Sequence, residues 1–302
     1  MPNGHDISLF LEPTLAHLGP IQITWHGLFA SVGTLLGVWL AVRWAQQAGI
    51  AEDDTLSVAM WGVMGALIGA RLFHVVDHWE LYRDDPLAIL KVNEGGVAIY
   101  GAVVGGFLLG VVRTRQLGLS IPRLVDVAVV PLMLGAAIGR IGDIINGEHH
   151  GLPADGFPLA VVYTHPDTLG ELGKPVHLAV GYEMLLTLTS FIMLVWLARG
   201  VVRRADGSWA WHWQPRYPRD GMLFWTFLVL YSVARLVEAF YVVGVPGALG
   251  LTEAQVLSVV SGTTGLWVLG DQLARSRPGR RRTQAQARRI GAPGNSEATV
   301  VE

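Results

Sequence analysis

The sequence predicts an all-α, polytopic membrane protein of about seven transmembrane helices, and three observations predict it. Of 302 residues, 51% are hydrophobic and only 15% charged, with a mean hydropathy of +0.42, which leaves room for several spans of about 20 residues each. Seven apolar segments recur, near 21–43, 55–79, 96–112, 124–146, 176–198, 221–243 and 254–273. The basic residues are sorted between alternate connections. One set of flanks holds Arg43, Arg113, Arg115, Arg123, Arg199, Arg203, Arg204, Arg216, Arg219 and the arginine-rich tail from Arg275 onward; the other holds only Arg83, Lys91 and Lys174. The positive-inside rule then puts the amino terminus outside and the carboxyl terminus in the cytosol.

Residues 1–20 contain no Lys or Arg and lack the basic region of a cleaved signal, so they read as an extracytoplasmic N-terminal segment. Residues 21–273 form the seven-helix membrane domain. Segment 1 carries His26 in its first turn. Segment 2 carries Arg71, His74 and His78 on one face. A His-x-x-x-His spacing can hold a metal, but no third ligand is fixed, so no metal is expected and Arg71 is expected to answer an anionic group. Segment 3 opens on Tyr100, and its Gly101-x-x-x-Gly105 and Gly106-x-x-x-Gly110 spacings predict close helix packing.

Segment 4 begins with Asp126, expected to pair locally with Arg123 or Arg43, and ends with Arg140 and Asp143, which are i, i+3 neighbours on one helix face. Gly139, Gly142 and Gly147 leave backbone open there, and His149-His150 follow as an exposed interfacial pair. Segment 5 brings His177 and Glu183, and segment 7 brings Gln255. In segment 6 Tyr231, Arg235 and Glu238 share one stripe, so Glu238 is expected to neutralise Arg235 in part. Tryptophans 25, 79, 209, 211 and 213 fall at segment ends, as an aromatic belt would. Residues 274–302 read as a basic, disordered cytoplasmic tail.

Orientation gives depth. Segments 2, 4 and 6 run outward, so the late residues Arg71, Arg140 and Arg235 lie in the outer half of the bilayer. The early residues His26, Tyr100, His177, Glu183 and Gln255 of the inward-running segments meet them there. An arginine at membrane depth costs about 2.5–3.5 kcal/mol on insertion scales, so its default reading is a functional site, here for an anion. With no cysteine, the chain has no disulfide or thiolate of its own, and any thiol chemistry must use a thiol brought by the substrate. No internal repeat is visible, which weighs against a transporter.

Gly139 to Gly151 reads GRIGDIINGEHHG. It resembles the signature G-R-[IL]-G-N-[FW]-x-N-x-E-x-x-G of the bacterial prolipoprotein diacylglyceryl transferase family. Trp25-His26-Gly27 is similar to that family's aromatic-Tyr-Gly opening, Gly69-Ala70-Arg71 to its G-x-R, and Gly95 to Gly101 to its Gly-Gly-x-x-x-[HW]-Gly segment. Val176 to Glu183 is similar to V-H-P-x-x-L-Y-E, Tyr231 to Arg235 to Y-x-x-x-R, and Leu251 to Ser258 to L-T-x-x-Q-x-L-S. The departures are Asp143 for asparagine, His26 for tyrosine, Tyr100 where many members have a histidine thought to act as base, Leu178 for proline, and Glu238 one place before the usual acid.

The resemblance implies transfer of the sn-1,2-diacylglyceryl group of phosphatidylglycerol to the lipobox cysteine of a preprolipoprotein, giving a thioether and glycerol 1-phosphate. It implies a multi-pass protein of the bacterial plasma (inner) membrane, in contact with membrane lipids and signal peptides, with no cofactor and no nucleic acid. Arg140 and Arg235 would clamp the donor phosphate; a histidine, His26 ahead of His177, would take the thiol proton, with Tyr100 orienting substrate. Arg71, Asp143, Asn146, Glu148, Gly151, Tyr231 and Glu238 would bind substrate. A non-catalytic binder of anionic lipid, or a small anion transporter, would use the same arginines.

Overall fold

The computed structural model describes residues 6–276 apart from 20, 91–95, 97, 204–207 and 248–249. The expected disordered tail beyond 276, together with Lys91, Gly95, Val97 and Arg204, lies outside the described residues. Each apolar segment holds one helix: α1 (Trp25–Gln47), α2 (Glu52–Asp77), α3 (Ile99–Gln116), α4 (Ile121–Asn146), α5 (Ala179–Ala198), α6 (Met222–Glu238) and α7 (Glu253–Ser276). The protein is mostly helical, and α1, α2, α4 and α5 are long and apolar enough to cross a membrane. The other three have shorter apolar stretches. Helix α6 has 17 residues, α3 ends on Arg113 and Arg115, and α7 carries Glu253, Asp271 and Arg275.

The all-α expectation missed a minor β component. Strand β1 (Ile7–Leu9) runs parallel to β4 (Val161–Tyr163), which pairs antiparallel with β5 (Pro175–Val176). Strands β2 (Thr14–Leu18) and β3 (Ile21–Thr24) form a hairpin leading into α1, and β6 (Arg199–Arg203) and β7 (Trp209–Trp213) form another between α5 and α6. Elements of two to five residues are too short to show a period-2 pattern. Residues 21–24 were expected to open the first helix. Their β-branched run instead pairs with β2, and Thr24 Oγ1 then accepts the N–H of Gly27 at 3.1 Å, capping α1.

Helix α1 packs on α4, α2 on α3, and α7 on α6, while α5 lies between α4 and α6. The expected small-residue packing is present: a Cβ on Gly101 would overlap the Gly69 carbonyl, and one on Gly105 the Gly65 carbonyl. The buried apolar core gathers Trp44, Val127, Val130, Met133, Leu194 and Leu223 from the last turns of α1 and α5 and the first turns of α4 and α6. Large apolar side chains such as Leu67, Val76, Phe107 and Trp267 remain exposed on α2, α3 and α7, which suits a lipid-facing surface.

Asp126 corrects an expectation. Its carboxylate is buried in the same end of the bundle and pairs with neither Arg123 nor Arg43. Oδ2 accepts the N–H of Gly221 at 2.6 Å and Oδ1 that of Phe224 at 2.8 Å, so Asp126 caps the start of α6 from another helix. Arg123 pairs with Asp220 at 3.2 Å.

At the opposite end, α6 stops at Glu238 rather than near 243. Leu152 N–H donates to Tyr241 O at 2.8 Å and Val243 N–H to His150 O at 2.9 Å, so residues 150–152 pair with 241–243. This fastens the turn after α4 to the end of α6.

Candidate active site

The site is built on the outer ends predicted for α4, α5 and α6. Arg140, near the end of α4, donates through Nη1 to Asp143 Oδ2 at 2.6 Å and through Nη2 to Glu183 of α5, with oxygens at 2.8 and 3.0 Å. Arg235, near the end of α6, donates through Nη1 to the same Glu183 carboxylate at 3.2 Å and to Glu238. One carboxylate, 1% exposed, therefore bridges the two arginines. Taking each ion from water costs several kcal/mol, which only such dense pairing offsets; removing one partner typically costs about 3–5 kcal/mol. Three carboxylates, Asp143, Glu183 and Glu238, share two guanidinium groups.

His26 joins at the start of α1. Its Nδ1 lies 2.6 Å from Asp143 Oδ1 and 3.5 Å from Glu148, whose carboxylate accepts from Asn146 Nδ2 at 2.9 Å. Gly142 makes this contact possible, because a Cβ there would fall 2.5 Å from His26 Cα. The two departures from the signature, His26 and Asp143, are thus hydrogen-bonded to each other. His26, Asp143 and Glu148 bring one donor atom each within 4.8 Å of one another. Arg140 holds the other Asp143 oxygen, so the three groups are tied into the arginine network by hydrogen bonds.

A cavity of about 300 Å³ opens beside Arg235, lined by Tyr100, His149, Arg235, Glu238, Val243 and Glu253 among others. Among the described residues the hydrogen bonds of Arg235 run through Nη1, which leaves its remaining donors for a ligand. Space of this size is at the lower end for small-molecule sites, and its polar groups converge from three helices.

His149 was expected to be an exposed interfacial histidine, and that expectation is corrected. It is part-buried, and its Nε2 lies 3.2 Å from Arg140 Nη1. Burial first, and then the charge of Arg140, hold its imidazole below the ordinary value. Further out, burial pushes the Tyr163 hydroxyl up to about 12 as it donates to Ile144 O at 3.0 Å, bracing the last turn of α4.

Other expected site residues sit elsewhere. His177 lies in an aromatic group with Phe157, Tyr182 and Tyr241, and its Nδ1 is 3.2 Å from the Tyr182 hydroxyl. Arg71 donates to the carbonyls of Ala88, Ile89 and Gly96 at 2.7–2.8 Å, tying the loop after α2 to the start of α3. His74 and His78 stack at 4.3 Å. Gly151 bridges to Val242, where a side chain would overlap the His177 carbonyl, and Tyr231 stacks on Phe227. Two residues of the network had been given no role from sequence. Glu183 had a signal, since it shares the depth of both arginines; His149 had none beyond its place in the Gly139–Gly151 motif.

The family model for prolipoprotein diacylglyceryl transferase matches residues 13–270, a span that contains every residue of this network. Among curated relatives, a phosphatidylglycerol–prolipoprotein diacylglyceryl transferase of Geobacillus kaustophilus is 33% identical over 265 residues, covering 86% of this chain and 92% of its own. Proteins of the same name from Bacillus velezensis and Bacillus licheniformis are 30% and 31% identical, each covering 83% of this chain and 88% of its own. A match of this length and identity, with the arginine motif inside it, carries the conclusion: the chain belongs to the prolipoprotein diacylglyceryl transferase family.

Proposed function

We propose that this protein transfers the sn-1,2-diacylglyceryl group of phosphatidylglycerol to the lipobox cysteine thiol of preprolipoproteins, forming a thioether and releasing glycerol 1-phosphate. The observation that carries the reading is the pair of arginines locked together through Glu183, with Arg235 on the cavity wall, in a chain of this family. The donor phosphodiester is an anion, and the carbon to be attacked needs a leaving phosphate stabilised as charge builds on it. Arg235 supplies donors from the cavity wall and Arg140 from behind it, both charged at any working pH. Tyr100 offers a hydroxyl to the headgroup, and a histidine of the site takes the thiol proton.

In this reading all seven helices cross the bacterial plasma membrane, with the amino terminus outside, so that the cavity opens at the depth of outer-leaflet headgroups. Cysteines introduced at Leu152 and Gly247 are expected to react with an impermeant reagent in intact cells, and one at Ser208 only after permeabilisation. The reverse pattern would overturn the shared depth of the arginines. The activity itself is tested with purified protein, phosphatidylglycerol vesicles and a lipobox peptide. Mass spectrometry is expected to show the peptide gaining one diacylglyceryl group. Binding of phosphatidylglycerol without that product would favour a non-catalytic lipid binder.

A further inference from the structure

We propose that His149, in the turn after α4, is the general base for the acceptor thiol and that Glu238 is the carboxylate behind it; this rests on the transferase reading. Three observations converge on the residue. It has φ 60°, making it the only non-glycine in the left-handed region among the described residues. Such a conformation costs about 1–3 kcal/mol and persists only where the surroundings fix it. Here the pairing of 150–152 with 241–243 on one side, and the bond from Glu148 N–H to Asp143 O at 3.0 Å on the other, hold it in place.

The ring has a defined tautomer. A guanidinium has donors only, so Nε2, 3.2 Å from Arg140 Nη1, carries the lone pair and Nδ1 carries the proton. Nδ1 lies 3.8 Å from Glu238 Oε1, a buried carboxylate oxygen with no hydrogen-bond partner among the described residues. An orphaned buried acceptor calls for an explanation, and an imidazolium forming beside it provides one. The ring also lines the cavity with Arg235 and Tyr100, whereas His26 is not among the lining residues and spends its Nδ1 on Asp143.

The charged groups around His149 are Arg140 and Asp143 from α4, Glu183 from α5, and Arg235 and Glu238 from α6. Burial and Arg140 keep it neutral at pH 7, the form a base requires. When the donor phosphate draws Arg140 Nη1 to itself, Nε2 is released. The thiol proton then passes to Nε2, and sulfur bonds to the glyceryl carbon. The carbon–oxygen bond to phosphate breaks, and its electron pair leaves on the phosphate oxygen of glycerol 1-phosphate. The charge of the imidazolium is offset by Glu238, 3.8 Å from Nδ1, until the proton is lost to water.

The test uses the full-length protein, phosphatidylglycerol vesicles and a lipobox peptide. Asparagine tolerates positive φ, so His149→Asn keeps the turn; it is expected to lower the rate by about 100-fold or more while equilibrium binding of phosphatidylglycerol is retained. His149→Gly is expected to regain rate when imidazole is added. A His149→Asn rate within threefold of the parent overturns the proposal, as does a His149→Gly loss that imidazole does not restore. If instead the parent protein yields no thioether, the transferase reading itself falls.

Discussion

Helices α4, α5 and α6 bury charge at both of their ends and use it differently. At the end holding Val127, Leu194 and Leu223, Asp126 spends both oxygens on backbone N–H groups of α6, and the surrounding side chains are apolar. At the other end Arg140, Asp143, Glu183, Arg235 and Glu238 are spent on one another, an oxygen of Glu238 has no partner among the described residues, and a cavity reaches Arg235 and Glu238. Burial of charge therefore does not separate structure from function. What separates them is whether the charge closes a backbone account or leaves donors and acceptors that a ligand can complete.

The largest effects are expected at the arginines. Arg140→Lys keeps the charge but loses the fork whose two nitrogens reach Asp143 and Glu183, and Arg235→Lys keeps the charge but loses the donors left over for a ligand; each is expected to lower the transfer rate by about 10²–10³-fold. Near-normal transfer with lysine at both positions would mean that only the field matters and that the bridged geometry is incidental. Glu183→Gln tests the bridge itself. It keeps the shape and one accepting oxygen but removes the charge and sets an amide donor against a guanidinium, and the transfer rate is expected to fall about tenfold through kcat, with little change in KM. An unchanged kcat would reduce Glu183 to a counterion.

Asp126→Asn probes the other end. An amide can accept one of the two N–H groups but brings a donor to a place with no acceptor for it, so about 1–3 kcal/mol of stability should be lost, read as a lower thermal midpoint. The rate per folded molecule should stay that of the parent. A loss of rate without a loss of stability would show that the two ends are coupled, against the division drawn here.

The helices were legible in the sequence, and so were two contacts of the site that helical spacing dictates. Arg140 with Asp143 and Arg235 with Glu238 follow from i, i+3 geometry alone. Contacts between helices were not legible in the same way. The place of Asp126 at the inner start of its segment suggested Arg123 or Arg43, basic residues of the same side, whereas its partners are backbone N–H groups 95 and 98 residues away. Glu183 shared the right depth, but depth does not say which face of α5 meets the arginines. The position of His149 depends on a positive φ and on strand-like pairing across the chain, neither of which leaves a pattern in one sequence.

The smallest expected effect concerns pH and separates the two ends once more. His149 has a lower proton affinity in the folded protein than its unfolded reference near 6.5, because burial and Arg140 disfavour its charged form. Above about pH 6.5 it is neutral in both states and its contribution to stability is fully present. As the pH falls below that value the unfolded chain binds the proton first, so stability is lost progressively until the pH is below the folded value as well, where the loss levels off. His149→Asn removes that titration, so the difference in thermal midpoint between pH 7.5 and pH 5.5 should be smaller in the variant than in the parent. Asp126→Asn should leave the histidine's share of this difference in place, since Asp126 acts at the other end of the bundle. Equal acid sensitivity in the parent and His149→Asn proteins would show that the imidazole is not held neutral, and would remove one support for its role as base.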